Sequence, residues 1–180
     1  MLLAHLPSGY LLAYANEKTT LPIHKLSKAF KKRLVIVSII GAAFPDIDTL
    51  PFLADTNGLS MHRHFITHTP LPYLILALAI YYLGTTLTKQ NRLKLYSLSY
   101  AFISGCFLHL ITDSIFGHIR WLYPLTNYRF SLYPITLSPA TSTNLVDWSL
   151  GFITTPYFFP EIVIFILAAW LYWGVRYARD

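Results

Sequence analysis

The apolar residues of this chain fall into uninterrupted blocks, too continuous for the half-buried faces of a water-soluble fold. The clearest is 69–88, twenty residues without a formal charge, centred on the run from Tyr73 to Tyr82. As a helix it is long enough to cross a hydrocarbon core of about 30 Å. A second block, 95–117, carries His109 and Asp113 in its C-terminal third. A lipid-facing helix does not tolerate those groups cheaply, so both are expected to face protein or water. A third block, 158–175, has Glu161 near its start and Trp170, Tyr172 and Trp173 near its end, where an interfacial aromatic belt would sit. Two shorter blocks precede these: 1–15, interrupted by His5 and by Pro7-Ser8-Gly9, and 34–44, which runs into Pro45-Asp46-Ile47-Asp48. The first lacks the basic start and small-residue cleavage site of a signal peptide and reads as a retained helix. The pattern predicts an all-α, polytopic membrane helical bundle of about four to five segments, forming one domain over residues 1–180.

Composition agrees. The chain is 54% hydrophobic and 12% charged, against roughly 25% charged in soluble domains, which excludes both an ordinary soluble domain and intrinsic disorder. The single cysteine, Cys106, excludes a disulfide scaffold. A formal net charge of +6 raises the question of nucleic acid, but the placement of the cations answers it. Segments 16–33, 89–94 and 176–180 hold eleven of the fourteen Lys and Arg. The positive-inside rule puts those three segments in the cytoplasm, so the basic balance reads as topology and no nucleic-acid partner is required. The path runs from an outer N-terminus through five segments to an inner C-terminus. It leaves 118–157, rich in aromatics and prolines, as an extracytoplasmic loop, either a lid for amphiphilic substrates or an ordered part of the aromatic belt.

The chemistry lies in the histidines. Five of the seven sit in or beside apolar segments, together with three of the six aspartates. They are His5, Asp46 and Asp48, then His62, His64 and His68, and finally His109 and Asp113. Counted at about 1.5 Å per helical residue from the cytoplasmic ends, Asp46 lies roughly 18 Å up, His109 roughly 21 Å and His5 roughly 15 Å. His68 enters from the outer end of its own segment, so all these groups share the outer half of the membrane. His109 and Asp113 are spaced i, i+4, as are His64 and His68, and each pair projects from one face if helical. Imidazole and carboxylate without thiolate suit Zn, with Mn or Fe as alternatives, and one or two ions. Taken singly, each residue has a plainer role: His5 as an interhelical hydrogen-bonding residue, Asp46 or Asp48 as a helix cap, Arg63 and its neighbours as an interfacial anchor. Jointly, so many imidazoles and carboxylates at one depth are costly unless an ion or a proton pathway compensates.

Pro45-Asp46-Ile47-Asp48, His62-Arg63 with Thr67-His68, His109-Leu-Ile-Thr-Asp113, Gly117, Leu122-Tyr-Pro-Leu125 and Arg129-Phe130 resemble the bacterial inner-membrane metal-dependent hydrolases of the YdjM type. The resemblance runs from His5 to about Leu132. It implies that the early His, the Pro-Asp-x-Asp, the His-Arg and Thr-His pairs and the His-x-x-x-Asp form a metal site, with His62 and His64 both eligible for the first position of the His-Arg motif. The order of these groups is also similar to that of all-helical zinc-dependent phospholipases C and single-strand nucleases, which implies a multi-zinc phosphoesterase core.

The expected function is hydrolysis of a phosphoester in a lipid or lipid-linked molecule at the outer leaflet of the inner membrane. The expected metal ligands are His68, His109, Asp113 and Asp46, with His5 next. Asp48 is left three roles: bridging ions, accepting the water proton, or orienting a ligating histidine. Arg63 and Arg129 suit a substrate phosphate, because a guanidinium engages two oxygens at once. Two other classes stay open, a divalent-metal or proton transporter and a non-catalytic membrane protein whose metal only holds its helices together.

Overall fold

The computed structural model describes residues 4–19, 27–53, 65–133, 150–151 and 153–177. Five helices dominate: α1 (His5–Thr19), α2 (Lys28–Ala43), α3 (Leu71–Thr85), α4 (Lys89–Phe116) and α5 (Phe159–Tyr177). Shorter 3-10 segments span Phe44–Leu53, Ile66–His68 and Pro156–Phe158. The described residues contain no strand beyond a single antiparallel bridge between Ile119 and Phe130. The described residues form an all-helical fold, as the pattern predicts.

Local chemistry explains the helix ends. Pro7 does not interrupt α1, because it lies in the first turn, where a backbone N–H needs no intrahelical partner. The Ser27 hydroxyl accepts from the Phe30 N–H at 3.3 Å and caps α2. Pro45, which lacks an N–H, ends α2 as a regular helix. The chain then tightens into the 3-10 segment that carries Asp46 and Asp48. Helix α4 starts at Lys89, six residues before the apolar block, so the basic stretch 89–94 is its first turn and a half rather than a loop.

The expectation of four to five spans is met only in part. Among the described residues α4, with 28 residues, is the one helix both long and apolar enough to cross a bilayer. Leu71–Thr85 and Phe159–Gly174 are apolar but shorter. The physical reason is length: 15 residues rise only about 22 Å, and the first two turns of α2 are occupied by Lys28, Lys31, Lys32 and Arg33.

Helix α4 packs against α2 and α3, and α1 against α2, α4 and α5. Small residues set how closely α2 and α4 approach. A Cβ on Gly105 would lie 2.6 Å from the Ser38 carbonyl oxygen, and one on Gly41 would collide with the backbone of Phe102. The Ser38 hydroxyl donates to the Gly9 carbonyl at 3.0 Å and ties α1 to the same seam. Such contacts hold helices together where apolar burial supplies little driving force.

The burial pattern is inverted relative to a soluble protein. His68, His109, Asp113 and Glu161 are among the largest fully buried side chains, while Leu74, Ile75 and Leu78 of α3 and Ile166, Trp170 and Trp173 of α5 are exposed. Polar groups gather inside and apolar ones face outward, as expected where the surrounding solvent is hydrocarbon.

Candidate metal centre

Four separate stretches of chain supply the cluster, and each delivers its side chain for a local reason. His5 opens α1. Asp46 and Asp48 sit two apart on the 3-10 segment after Pro45. His68 closes the turn Ile66–His68, and His109 and Asp113 stand one helical turn apart on the buried face of α4. His5, His68, His109 and Asp113 are each no more than 3% exposed. The depth agreement read from the sequence is thus matched by contact.

The Nε2 atoms of His68 and His109 are 3.3 Å apart. Asp46 Oδ1 lies 3.5 Å from each, and Asp113 Oδ2 4.0 Å from each. His5 Nε2 lies 3.4 Å from Asp113 Oδ1 and 3.9 Å from Asp46 Oδ2. Donor atoms of His5, Asp46 and His109, and of His68, His109 and Asp113, form two groups whose members all lie within 4.8 Å.

What surrounds the rings fixes which nitrogen faces inward. His109 Nδ1 is 2.8 Å from the Ala42 carbonyl oxygen, which can only accept, so Nδ1 carries the proton. His68 Nδ1 is 2.8 Å from Asp48 Oδ2 and donates to that carboxylate. The Thr112 hydroxyl gives its proton to the His109 carbonyl at 2.9 Å, which leaves its oxygen to accept from His5 Nδ1 at 3.3 Å. Each imidazole therefore turns an Nε2 lone pair toward the aspartates. Two lone pairs facing one another at 3.3 Å repel unless a proton or a cation lies between them, so the donor set fits a divalent cation of the zinc type.

Asp48 stands behind His68, on the far side of the ring from the cluster. It is buried, its Oδ2 also accepts from the Thr67 hydroxyl, and its Oδ1 has no hydrogen-bond partner among the described residues. Of the three roles open to Asp48, orienting a histidine is the one this placement matches. The Tyr73 hydroxyl in turn donates to the Thr67 carbonyl at 2.5 Å, bracing the turn from α3. Access to the cluster is on the Asp46 side, since its side chain is 32% exposed against 1% for Asp113.

His62, Arg63 and His64 lie outside the described residues. Of the stretch leading to His68, Phe65 is extended and Ile66–His68 is a single 3-10 turn, so the described part of it is not α-helical. Arg129 is exposed, beside Phe130, and makes none of the contacts of the cluster. Sequence reasoning held Thr67 and Thr112 only as members of motifs and gave no role to either, nor to Tyr73 or the Ala42 carbonyl. Thr67 and Thr112 each stand beside a histidine or aspartate of a motif, and that adjacency was the available signal. The Ala42 carbonyl carried none.

The aromatic loop is anchored to the same helix. The Leu132 and Tyr133 N–H groups donate to the Ser114 and Ile115 carbonyls at 2.8 Å each, satisfying two acceptors at the end of α4. The Trp121 indole donates to the Ser114 hydroxyl at 2.7 Å, one residue beyond Asp113. Trp121, Leu122, Tyr128 and Phe130 enclose an open apolar cavity of about 350 Å³. Of the extracytoplasmic loop expected over 118–157, residues 134–149 and 152 lie outside the described residues.

A family model described as YdjM inner membrane protein matches residues 1–179. No curated protein and no solved structure matches the chain.

Proposed function

The chain belongs to the YdjM inner membrane protein family, and from that premise we propose that it is a multi-pass, metal-dependent hydrolase of phosphoester bonds in a lipid or lipid-linked substrate. The observation that carries the reading is the convergence of three imidazole Nε2 atoms and two aspartates in a buried cluster that opens on one side. A purely structural site would be closed all round, whereas hydrolytic sites keep an open edge. His68, His109, Asp46, Asp113 and His5 are the residues that would hold the metal, and Asp48 would orient His68. A bound divalent cation supplies the positive charge that acidifies water and polarises a phosphoryl oxygen. Water attacks phosphorus, the bond to the leaving alcohol oxygen breaks, and that oxygen takes up the proton that the attacking water releases.

The amphiphilic substrate is supported by the apolar cavity of Trp121, Leu122, Tyr128 and Phe130, hung from the helix that bears Asp113. An acyl chain suits such walls. Multi-pass insertion is supported by the outward-facing apolar side chains of α3 and α5. Helix α4 carries no Asp, Glu, Lys, Arg or His from Leu95 to Leu108. That favours a site over a proton or ion pathway, which needs polar groups through the full depth.

The test is metal content by element-specific mass spectrometry on detergent-purified protein, beside phosphomonoester and phosphodiester turnover, for wild type and His109→Ala. Metal and turnover lost together in the variant is the expected result. A folded, metal-replete wild type without bound metal would overturn the reading.

A further inference from the structure

The two carboxylates at the centre divide their oxygens in the same way. Asp46 turns Oδ1 to the His68 and His109 nitrogens, at 3.5 Å, and Oδ2 to His5. Asp113 turns Oδ2 to the His68 and His109 nitrogens and Oδ1 to His5, at 3.4 Å. Each aspartate thus faces two nitrogen environments with two different atoms, the geometry of a bridging carboxylate.

The rings point the same way. His5 and His109 are stacked, with centroids 3.8 Å apart and planes inclined by 20°. An imidazole lone pair lies in the plane of its ring. Two stacked rings therefore address two points separated by about their stacking distance, and the in-plane position served by His109 lies well out of the plane of His5. His68 differs, since its ring meets that of His109 at 68° with Nε2 atoms 3.3 Å apart, so those two lone pairs do converge on one point. The triangle of His68 Nε2, His109 Nε2 and Asp46 Oδ1 has edges of 3.3, 3.5 and 3.5 Å. A tetrahedral ion with ligands at about 2.1 Å has ligand-to-ligand edges of about 3.4 Å. The stacking distance likewise falls within the roughly 3.5–4 Å that separates the ions of two-metal hydrolytic sites.

We infer that the site holds two divalent ions rather than one, the first on His68 and His109, the second on His5, with Asp46 and Asp113 bridging them. This rests on the metal-site reading above and goes beyond it in the number of ions and the division of the ligands. Thr112, which accepts from His5 Nδ1, is the positioning residue of the second ion. The second position has one histidine where the first has two, so it is the weaker of the pair.

The test uses full-length protein in detergent, loaded with Zn(II) for stoichiometry and with Mn(II) for electron paramagnetic resonance. Wild type is expected to hold two ions per chain and to give an exchange-coupled Mn(II) spectrum. His5→Ala is expected to hold one ion with the spectrum of an isolated Mn(II). Thr112→Val, a milder change that leaves all ligands in place, is expected to weaken the second binding step at least several-fold and leave the first unchanged. One ion per chain in wild type, with an uncoupled spectrum, overturns the inference and leaves the metal-site reading standing. No bound ion overturns both.

Discussion

Replacing Asp48 by asparagine isolates the contribution of a group that touches His68 and none of the other clustered side chains. The His68 Nδ1 to Asp48 Oδ2 separation of 2.8 Å is that of a charge-assisted hydrogen bond. Such bonds contribute about 1.5–3 kcal/mol. The amide keeps an acceptor oxygen for His68 and for Thr67, so the turn Ile66–His68 is retained while the negative charge behind the ring is lost. Loss of an outer partner of a ligating histidine typically lowers metal affinity about 10- to 100-fold, equivalent to about 1.4–2.7 kcal/mol, in line with the hydrogen-bond figure. The assay is a chelator-competition titration with Zn(II) in detergent, run beside Thr67→Val, which removes one of the two donors to Asp48 and is expected to fall between wild type and Asp48→Asn. Affinity equal to wild type would refute the orienting role. Loss of the first ion even at high Zn(II), as expected for His68→Ala, would show that Asp48 is itself a ligand.

Further outcomes follow from packing and topology. Gly105→Val drives a side chain into the Ser38 carbonyl and the Ala42 N–H, 2.6 and 2.7 Å from the new Cβ. It should destabilise the protein by about 1–3 kcal/mol and loosen the His109 to Ala42 bond, read as a lower unfolding temperature together with weaker metal binding. Trp121→Phe keeps an aromatic wall but loses the bond to Ser114, about 1 kcal/mol. Metal content should be unchanged, and turnover of a long-chain phosphoester should drop several-fold relative to a short-chain one, whereas an equal drop on both would argue against an acyl site. A cytoplasm-active reporter fused in the turn 86–88 between α3 and α4 should be active, because α4 opens with Lys89, Arg92 and Lys94. An active periplasmic reporter there would invert the topology.

Much of the site was legible in the sequence. Hydrophobic blocks, cation placement and comparable helical depth grouped His5, Asp46, Asp48, His62, His64, His68, His109 and Asp113, because depth along a helix is a one-dimensional quantity that residue counting measures directly; His62 and His64 lie outside the described residues. The boundaries were less legible. Helix α4 takes in the basic stretch 89–94, and α1 runs through Pro7, since end positions depend on which N–H groups need partners and not on hydropathy.

By itself the sequence determined a helical membrane protein of the YdjM family, with imidazoles and aspartates gathered at one level. Only the tertiary structure decided how those groups face one another. Asp48 bonds to the outer nitrogen of His68 while Asp46 and Asp113 face the cluster; His5 stacks on His109 while His68 meets it edge-on; Ala42, with no side-chain chemistry, sets the tautomer of His109. Each of these depends on the direction of a lone pair or a carboxylate oxygen across a helix interface. Such directions are set by how closely Gly41 and Gly105 let α2 and α4 approach, and residue type and spacing along one chain carry no record of them.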